Sequence, residues 1–400
     1  MTANTIQDGI FYSNGEKIGK SFCIIFFNFT KDCDFVQAKV ILKRLWKFYN
    51  SLKKGITRDL LEAHPKQLRT GNTNFLLGYG SSFFSINGIN NKKPNGLEQS
   101  FFNNPDDARG GGPVVEGTNI FYSDNIKDNH AIKDQIIVQC IADNDFYIYR
   151  VIVETSKELQ LIKKENNDKE LLLISKYYIG HKPEDRRNWF GFLDGISNIN
   201  KKERKDAIFV KKSKQGDTEL GTYMAFSRIE FNLEKWDNLS KYEQEIIIGR
   251  EKLTGCPVIG VDEVTKKTIK DPRCPIPGTT SVLDHGNEVF REINPLAFGN
   301  FLPPNRYKQL KESHITASKT KNWKIFRQSF EFFEPSEDKH TFKVGFNFIS
   351  FQNDLQQFFE LFRHSLNQLA EYFSIQSIGI FYIPPIIANE NFPGETTLSK

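Results

Sequence analysis

The sequence lacks the features that mark several common classes of protein. Its five cysteines are spread over 400 residues without a C-x-x-C pair, which excludes a tetrahedral zinc site of the usual spacing. No apolar run approaches the ~20 residues needed to span a bilayer, and residues 1–9 carry no basic segment followed by an apolar one. The motifs G-x-S-x-G, H-E-x-x-H and G-x-x-x-x-G-K-[ST] are also missing. Together these absences predict a protein with no membrane partner in the reducing cytoplasm.

Charge of one sign is not concentrated anywhere along the chain. The net charge is +5, from 54 Lys and Arg against 49 Asp and Glu, and lysine pairs alternate with acidic residues. Because a nucleic-acid-binding surface needs a concentrated basic face, we expect no nucleic-acid partner. What the chain does contain is apolar material, 38% of its residues with 36 Phe among them. Its length therefore suits two moderate domains or one large duplicated unit.

The apolar pattern of the first part predicts a ferredoxin-like unit. Residues 22–29, 134–142 and 171–178 are predicted to be strands, and residues 74–84 to hold a strand followed by a turn. A helix is predicted from Asp34 to Leu52, with an apolar side formed by Val36, Val40, Leu42, Leu45 and Phe48. A second helix is predicted to follow residue 142. The order strand, helix, strand, strand, helix, strand is that of a ferredoxin-like unit.

The second part of the chain is predicted to repeat this plan. Three strands are predicted there, at Thr222–Ile229, Ile325–Phe333 and Val344–Phe351, together with two helices, at Glu234–Leu253 and Asp354–Phe373. Residues 255–312, which carry Pro and Gly, are predicted to be an insertion. We therefore expect an α+β fold of two halves, with domains at 1–170 and 171–400 and a seam near residues 160–185.

Three segments contain side chains suited to chemistry. In residues 191–198, Asp194 lies among apolar residues and is a candidate to move a proton, although an Asp-Gly turn capping a helix explains it equally. In residues 313–318, His314 is a candidate ligand, although a lone His is more often a packed or surface residue. In residues 325–332, strand alternation places Arg327 with Ser329 and Glu331 on one face, as in any amphipathic strand.

The three segments in this order resemble the dye-decolourising peroxidases. Five further stretches resemble that family and follow its order: residues 75–84, 134–143, 221–229, 236–255 and 348–354. Each stretch alone is weak, but the ordered set covers the chain nearly from end to end. The resemblance implies a duplicated fold of the dimeric α/β-barrel type, with one haem b per chain bound in the C-terminal half.

The resemblance also implies roles for individual residues. His314 is expected to bind the haem iron, and Asp354 to hydrogen-bond the other nitrogen of its ring. Asp194 and Arg327 are expected to be catalytic on the opposite side of the iron, and Arg250 to contact a propionate. The cofactor-binding set is completed by Gly195, Ile196, Lys319, Thr320 and Lys321.

The sequence departs from the family pattern at several positions. Thr316 stands where the family often has Arg, and Lys319-Thr320-Lys321 replaces an Asn-Pro-Arg run. Asn198-Ile199 replaces an Asn-Pro pair, and Ser329 stands where Gly or Asn is common. These differences concern propionate contacts, channel shape and the preferred donor, since the iron ligand and the catalytic pair are present.

The resemblance predicts a peroxidase that reduces hydrogen peroxide and oxidises phenolic or dye-type aromatic donors in one-electron steps. Two alternatives remain at this stage. One is a haem-handling protein for storage, sensing or iron release, and the other is an interaction protein that has lost its haem. Expected partners are hydrogen peroxide and small aromatic reductants, and the fold is compatible with a homo-oligomer.

Overall fold

The computed structural model describes most of the chain. The described residues are 5–10, 19–64, 68–89, 93–94, 96–97, 132–194, 198–199, 201–211, 218–262, 264–270, 324–336, 341–358, 361, 369 and 371–398.

The first half forms a four-stranded antiparallel sheet with two long helices. Its elements are β1 (Ser21–Phe29), α1 (Phe35–Lys53), β2 (Asn74–Gly80), β3 (Ile136–Ala142), α2 (Asp145–Glu165) and β4 (Leu172–His181). The strands lie in the order β4-β1-β3-β2, which is the order of a ferredoxin-like unit. Every residue of β3 is buried, because helices cover one face of this sheet and the opposite half of the molecule covers the other.

The second half repeats this arrangement with more elements between the strands. In chain order these are α3 (Lys201–Ile208), β5 (Thr222–Phe231), α4 (Leu233–Asp237), α5 (Lys241–Ile248), β6 (Val258–Asp262), β7 (Lys267–Lys270), β8 (Phe326–Pro335), β9 (Phe342–Gln352), β10 (Phe373–Ile383) and α6 (Glu395–Leu398). The strands lie in the order β8-β9-β5-β10, the equivalent of the order in the first half, while β6 and β7 form a separate pair among the described strands. The predicted duplication of a ferredoxin-like plan is therefore confirmed.

The two sheets join edge to edge into a closed eight-stranded barrel. One seam pairs β2 with β10 through Tyr79–Tyr382 and Gly80–Phe381. The other pairs β4 with β8 through His181 and Glu331. At this second seam a Cβ on Gly180 would lie only 2.8 Å from the Cβ of Phe330, so a residue with no side chain allows the two strands to approach.

Two separate apolar cores follow from the alternation of side chains along each strand. The barrel interior is filled mainly by aromatic and branched residues, among them Phe22, Phe26, Phe226, Phe330, Ile349 and Phe381. The outward faces of the sheets pack against helices and loops around Tyr49, Tyr79, Trp236 and Phe358. A side chain on a C-terminal strand therefore points either into a packed barrel or out towards the layer that holds the site.

Some elements differ from the sequence-based expectation. Helix α1 buries Phe35, Ala38, Leu42, Leu45 and Tyr49, whereas Val36 and Val40, assigned to its apolar side, are 66% and 65% exposed. The single helix predicted at Glu234–Leu253 is two helices, because Ser240 begins α5 with a capping box. Strand β10 was not predicted, and it begins at Phe373, where the preceding helix was expected to end.

Strand pairing also bears on the domain boundary. Because β4 pairs with β1, residues 172–181 join the sheet of the first half, which favours a boundary after His181. The domains at 1–170 and 171–400 stay a prediction, and most of the expected insertion at 255–312 lies outside the described residues. In the part of the chain that the structure describes, no helix has both the length and the apolar character to cross a membrane.

Candidate functional site

Arg327 lies on the outward face of the C-terminal sheet. Its neighbours on β8 point alternately into the barrel and outward, and inward-facing Phe326 and Phe330 belong to the barrel core. In the antiparallel register Arg327 lies opposite Ser350, so both side chains share the outward face. The predicted grouping of Arg327, Ser329 and Glu331 on one face agrees with this register.

Asp194 follows a tight loop that is anchored in the outer core. Phe190 stacks between Phe231 and Trp236, with ring centroids 4.1 and 4.2 Å away. Gly191 has a φ of +82°, a left-handed conformation that favours glycine, and its amide donates to the carbonyl of Asn188 at 2.7 Å. The stacking of Phe190 on Phe231 and Trp236 fixes the loop, and Asp194 lies at its end.

Arg187 ties this loop to the segment that follows Arg250. Its guanidinium donates to the carbonyl oxygens of Gly191 at 2.9 Å, Lys252 at 2.7 Å and Leu253 at 2.7 Å. Each of these hydrogen bonds is charge-assisted, which makes it stronger than a neutral one. The loop of Asp194 and the segment of Arg250 are thus held together.

Asn198 clamps the chain beyond Asp194 onto the strand of Arg327. Its amide nitrogen donates to the Arg327 carbonyl at 2.8 Å, and its amide oxygen accepts from the Arg327 backbone N–H at 3.1 Å. This pair of bonds extends the edge of β8 with a side chain in place of a strand. Two of the sequence-predicted residues, Asp194 and Arg327, are therefore brought to one region by local contacts.

Arg250 lies close to Arg327 in a buried setting. It is 3% exposed, and its guanidinium donates to the Gly255 carbonyl at 2.6 Å. Burial, together with the positive charge of Arg327, lowers the pKa of Arg250 to about 10. Two guanidinium groups whose positive charges act on each other in a buried setting together attract an anion.

Two further ionisable side chains lie around Asp194. Burial raises the pKa of Glu331 to about 9, and the negative charge of Asp194 adds to that rise. Burial lowers the pKa of Lys182 to about 8, against an opposing effect of Asp194, and Arg186 lowers it further. Asp194 therefore lies near two such groups: Glu331, an acid whose neutral form is favoured, and Lys182, a partly desolvated cation.

Buried polar atoms without partners mark the outward face of the C-terminal strands. Among the described residues these include Ser227 Oγ on β5, Ser350 Oγ on β9 and Glu331 Oε2 on β8. The register places all three on the face of Arg327, beside apolar Phe348. A buried hydroxyl or carboxyl without a partner is unfavourable, which suggests a site completed by a bound group.

The described residues fit haem. Haem combines a flat apolar ring with two carboxylates, and the site offers buried aromatic surface beside the paired guanidinium groups of Arg250 and Arg327. The predicted iron ligand His314 lies outside the described residues, as do Gly195, Ile196 and Lys319–Lys321. Within the residues described, no group of three or more His, Cys, Asp or Glu is arranged to hold a metal ion.

Asp354 is exposed and follows β9 by two residues. Its carboxylate accepts from the Gln356 backbone N–H at 2.9 Å, and the helical residues 355–358 begin just beyond it. This is the position of a helix cap. Its expected hydrogen bond to His314 stays a prediction.

Sequence reasoning did not identify Arg187, Asn198, Lys182 or Glu331 as parts of this site. Strand alternation did place Glu331 on the face of Arg327, and that signal was available. The Asn198 clamp has no local signature, because its partner is 129 residues away in the sequence.

Solved structures similar to this chain support the fold. A DyP-type peroxidase from Cellulomonas bogoriensis matches with a TM-score of 0.70 at 20% identity, covering 99% of this chain and 97% of that chain. A DyP-type peroxidase from Streptomyces coelicolor matches with a TM-score of 0.63, also at 20% identity, covering 99% and 95% of the two chains. The predicted α+β fold of two ferredoxin-like halves is confirmed at this level.

Curated relatives match shorter segments. A dye-decolorizing peroxidase of Brevibacterium linens is 27% identical over 122 residues, which are 29% of this chain and 32% of that protein. A deferrochelatase of Escherichia coli is 37% identical over 76 residues, 18% of each protein. The matches thus span a third or less of the curated relatives' own length.

The model of one family covers the C-terminal half of the chain. The family is described as "Dyp-type peroxidase, C-terminal", and residues 185–388 match it. The match begins just before the Asp194 loop and includes β5, β8, β9 and β10, so it contains the described residues of the site apart from Lys182. The chain therefore belongs to the Dyp-type peroxidase family.

Proposed function

We propose that this protein is a haem-dependent peroxidase that reduces hydrogen peroxide and oxidises phenolic or dye-type aromatic donors in one-electron steps. The observation that carries the proposal is the clamp of Asn198 on Arg327, which holds the Asp194 loop against the strand of the second catalytic candidate. Family membership supports the same activity.

One haem b per chain is part of the proposal. When bound, it supplies a redox-active iron and two propionates. His314 would hold the iron, with Asp354 as its hydrogen-bond partner, and Arg250 would pair with a propionate. Gly195, Ile196 and Lys319–Lys321 complete the proposed contacts.

Asp194 and Arg327 divide the work on peroxide. Asp194 accepts a proton from the oxygen of hydrogen peroxide that is nearer to the haem site. It returns this proton to the far oxygen, which leaves as water. Arg327 donates hydrogen bonds to the far oxygen and stabilises the negative charge that develops there as the O–O bond breaks. Two electrons and two protons are then required, and two molecules of an aromatic donor supply one electron each.

A haem-handling role is the second candidate. It is favoured by the similarity to a protein named deferrochelatase, which reaches 37% identity over 76 residues. Iron release from haem needs no pair of residues acting on a peroxide bond. The two functions therefore predict different sensitivities to changes at Arg327.

Absorbance spectroscopy of the haem-reconstituted protein tests the proposal. We expect a Soret band that changes after about one equivalent of hydrogen peroxide and recovers when a phenolic donor is added. A Soret band that does not change after peroxide is added, together with release of iron to a chelator, would favour haem handling. A protein that takes up no haem would contradict both.

Partners, assembly and location are part of the proposal as well. Hydrogen peroxide and small aromatic reductants are the proposed partners, and a homo-oligomer is compatible with the fold. The domain division at 1–170 and 171–400 and a cytoplasmic location are proposals as well.

A further inference from the structure

A buried serine lies directly opposite Arg327 on the outward face of the C-terminal sheet. Ser350 on β9 is the register partner of Arg327, and the side chains of such partners share one face, with Cβ atoms about 4.5–5.5 Å apart. Ser350 is 0% exposed, and its Oγ has no hydrogen-bond partner among the described residues. A hydroxyl withdrawn from water therefore lies unsatisfied beside the residue proposed to act on peroxide.

The pattern of β9 makes this serine unusual. The preceding outward positions of the strand are apolar, at Val344, Phe346 and Phe348, and these side chains belong to the outer core or pack against it. A buried hydroxyl in the same row is unfavourable unless a group bonds to it, whereas an alanine would carry no such cost. Since no described group satisfies Ser350 Oγ, packing alone does not account for a serine at this position.

Short side chains surround Ser350 on the neighbouring strand. Ala225 lies opposite Ser350 on β5, and Ser227 follows Ala225 on the same outward face. Side chains this short allow a bound molecule to approach the sheet closely beside Arg327. A small molecule with polar atoms would suit this position, because it could satisfy the Ser350 hydroxyl and the Arg327 guanidinium together.

Hydrogen peroxide needs an acceptor that Arg327 cannot supply. Each oxygen of peroxide carries one proton and can also accept hydrogen bonds. A guanidinium group only donates, whereas a serine hydroxyl both donates and accepts. In the proposed reaction Asp194 accepts the proton of the near oxygen and Arg327 donates to the far oxygen. The O–H of the far oxygen still needs an acceptor, and the Ser350 hydroxyl is one.

We propose that Ser350 is a peroxide-binding residue, whose hydroxyl accepts a hydrogen bond from the far oxygen while Arg327 donates to that same oxygen. Ser350 makes and breaks no covalent bond. It fixes the orientation of peroxide before the proton moves through Asp194, and it stays bonded to the far oxygen as water leaves. This inference deepens the proposed function and rests on it.

Fluoride binding tests the position of the hydroxyl without catalysis. Fluoride binds ferric haem and accepts hydrogen bonds, and the Ser350 hydroxyl can turn to donate to it. We expect Ser350→Ala to bind fluoride about 3–10-fold more weakly than the parent, the scale of one hydrogen bond. Ser51→Ala is the matched control and should bind as the parent does, because the Ser51 hydroxyl donates to the Lys47 carbonyl within α1. Equal fluoride affinities in Ser350→Ala and the parent would overturn the proposal.

Stopped-flow absorbance measures the reaction with peroxide itself. The second-order rate constant should be about 3–10-fold lower in Ser350→Ala than in the parent, with haem content retained. An unchanged rate constant would overturn the assignment to peroxide. A parent that binds fluoride but does not react with peroxide would contradict the proposed function, and with it peroxide as the molecule that Ser350 binds. Equal fluoride affinities and rates in a parent that does react would contradict the role of Ser350 alone.

Urea unfolding of the full chain without added haem separates binding from a structural role. Ser350→Ala removes a buried hydroxyl that has no described partner, so it should unfold at the same urea concentration as the parent or a higher one. Ser377→Ala is the contrasting variant and should unfold at a lower concentration, because the Ser377 hydroxyl lies 2.9 Å from the Tyr178 hydroxyl. A Ser350→Ala protein that is as destabilised as Ser377→Ala, or that fails to fold, would show that the hydroxyl serves the fold and would overturn the proposal.

Discussion

Arg327 and Arg250 form the most strongly charged part of the site, yet their surroundings differ. Arg250 is nearly inaccessible and bonded to the Gly255 carbonyl, as a residue that holds a fixed group would be. Arg327 is half-buried, and its backbone is held by Asn198. This difference in burial favours Arg250 as the proposed propionate contact and Arg327 as the residue proposed to contact hydrogen peroxide.

Replacing Arg327 with Leu should separate haem binding from reaction. We expect the variant to bind haem as the parent does, but to react with hydrogen peroxide more slowly by roughly 10² or more, the scale of losing one oriented donor. Stopped-flow absorbance measures this rate. Arg69→Leu, at an exposed position of the first half, is the control and should react at the parental rate.

His314 is predicted to be the iron ligand, so His314→Ala should lose most of its haem. The haem-to-protein ratio after reconstitution and gel filtration measures this loss. His64→Ala, at an exposed position in the first half, should keep a full complement. Normal haem content and an unchanged Soret band in His314→Ala would contradict the assignment.

Glu331 also makes stability depend on pH. Its pKa rises from the ordinary 4.5 to about 9 on folding, so the folded state binds this proton more tightly than the unfolded state does. The associated stability is fully present below about pH 4.5 and is lost as the pH rises towards 9. In urea unfolding, the parent should therefore lose stability relative to Glu331→Gln over this window. Parallel pH curves for the two proteins would contradict the raised pKa.

At the scale of elements, Asn198 ties the chain beyond Asp194 to β8. Asn198→Ala removes two hydrogen bonds to the Arg327 backbone, each contributing about 0.5–1.5 kcal/mol. We expect the free energy of unfolding to fall by about 1–3 kcal/mol. The peroxide rate should fall too, but less than in Arg327→Leu, and haem content should be retained.

Asn391→Ala is the matched control for this loop. Its amide bonds the Glu395 carboxylate near the end of the chain, so its loss should leave the peroxide rate unchanged. Equal rates in Asn198→Ala and the parent would show that the clamp does not position Asp194.

Most elements could be predicted because their patterns are local. Strand β3 is apolar except at Gln139, and the N-cap of α1 is Asp34, which forms a capping box with Gln37. The buried side of α1 was misassigned because Phe35 and Tyr49 bury more apolar surface than Val36 and Val40. The helix is therefore rotated so that Phe35 and Tyr49, and not the two valines, face the core.

Strand β10 and the break between α4 and α5 were not predicted. The register of β10 shifts between Ile375 and Ser377, and this irregularity interrupts the alternation by which a strand is recognised. The break between α4 and α5 did have a signal, since Ser240 and Glu243 form a capping box in the middle of an otherwise helical pattern.

The candidate site was predictable only in part. Asp194, Arg250 and Arg327 were found through resemblance to a family, and the hydrogen bonds of Arg187 and Asn198 that bring their segments together are not encoded by any local pattern. Glu331 was visible only as a member of a strand face. Its raised pKa is caused first by burial and then by the charge of Asp194, which is distant from it in the sequence.

At the scale of the molecule, the buried side chains of Arg228 and Asn347 connect the two halves. Arg228 points into the barrel with its guanidinium 3.6 Å from the ring centroid of Phe332 and 4.4 Å from that of Tyr178 in β4. It donates to the Asn347 side chain at 2.9 Å, and Asn347 in turn donates to the Ile179 carbonyl at 3.0 Å. The short seam between β4 and β8 is therefore reinforced from inside.

Arg228→Met should weaken this junction. Loss of the contacts with the two rings, and of the partner of Asn347, should lower the free energy of unfolding by about 2–4 kcal/mol. Urea denaturation measures the change. Lys20→Met removes an ion pair between two exposed side chains, Lys20 and Glu184, and should change stability by less than about 1 kcal/mol.

The position of β10 has a consequence for how the molecule is made. This strand is the last in the chain, yet it lies between β2 of the first half and β5 of the second. While the protein is being synthesised, the free edge of β2 has no partner until residue 383 has left the ribosome. An unpaired strand edge is a template for association with other chains. The nascent first half is therefore the stage at which this protein most needs a chaperone, and a stalled chain that ends before Phe373 should aggregate while the finished one does not.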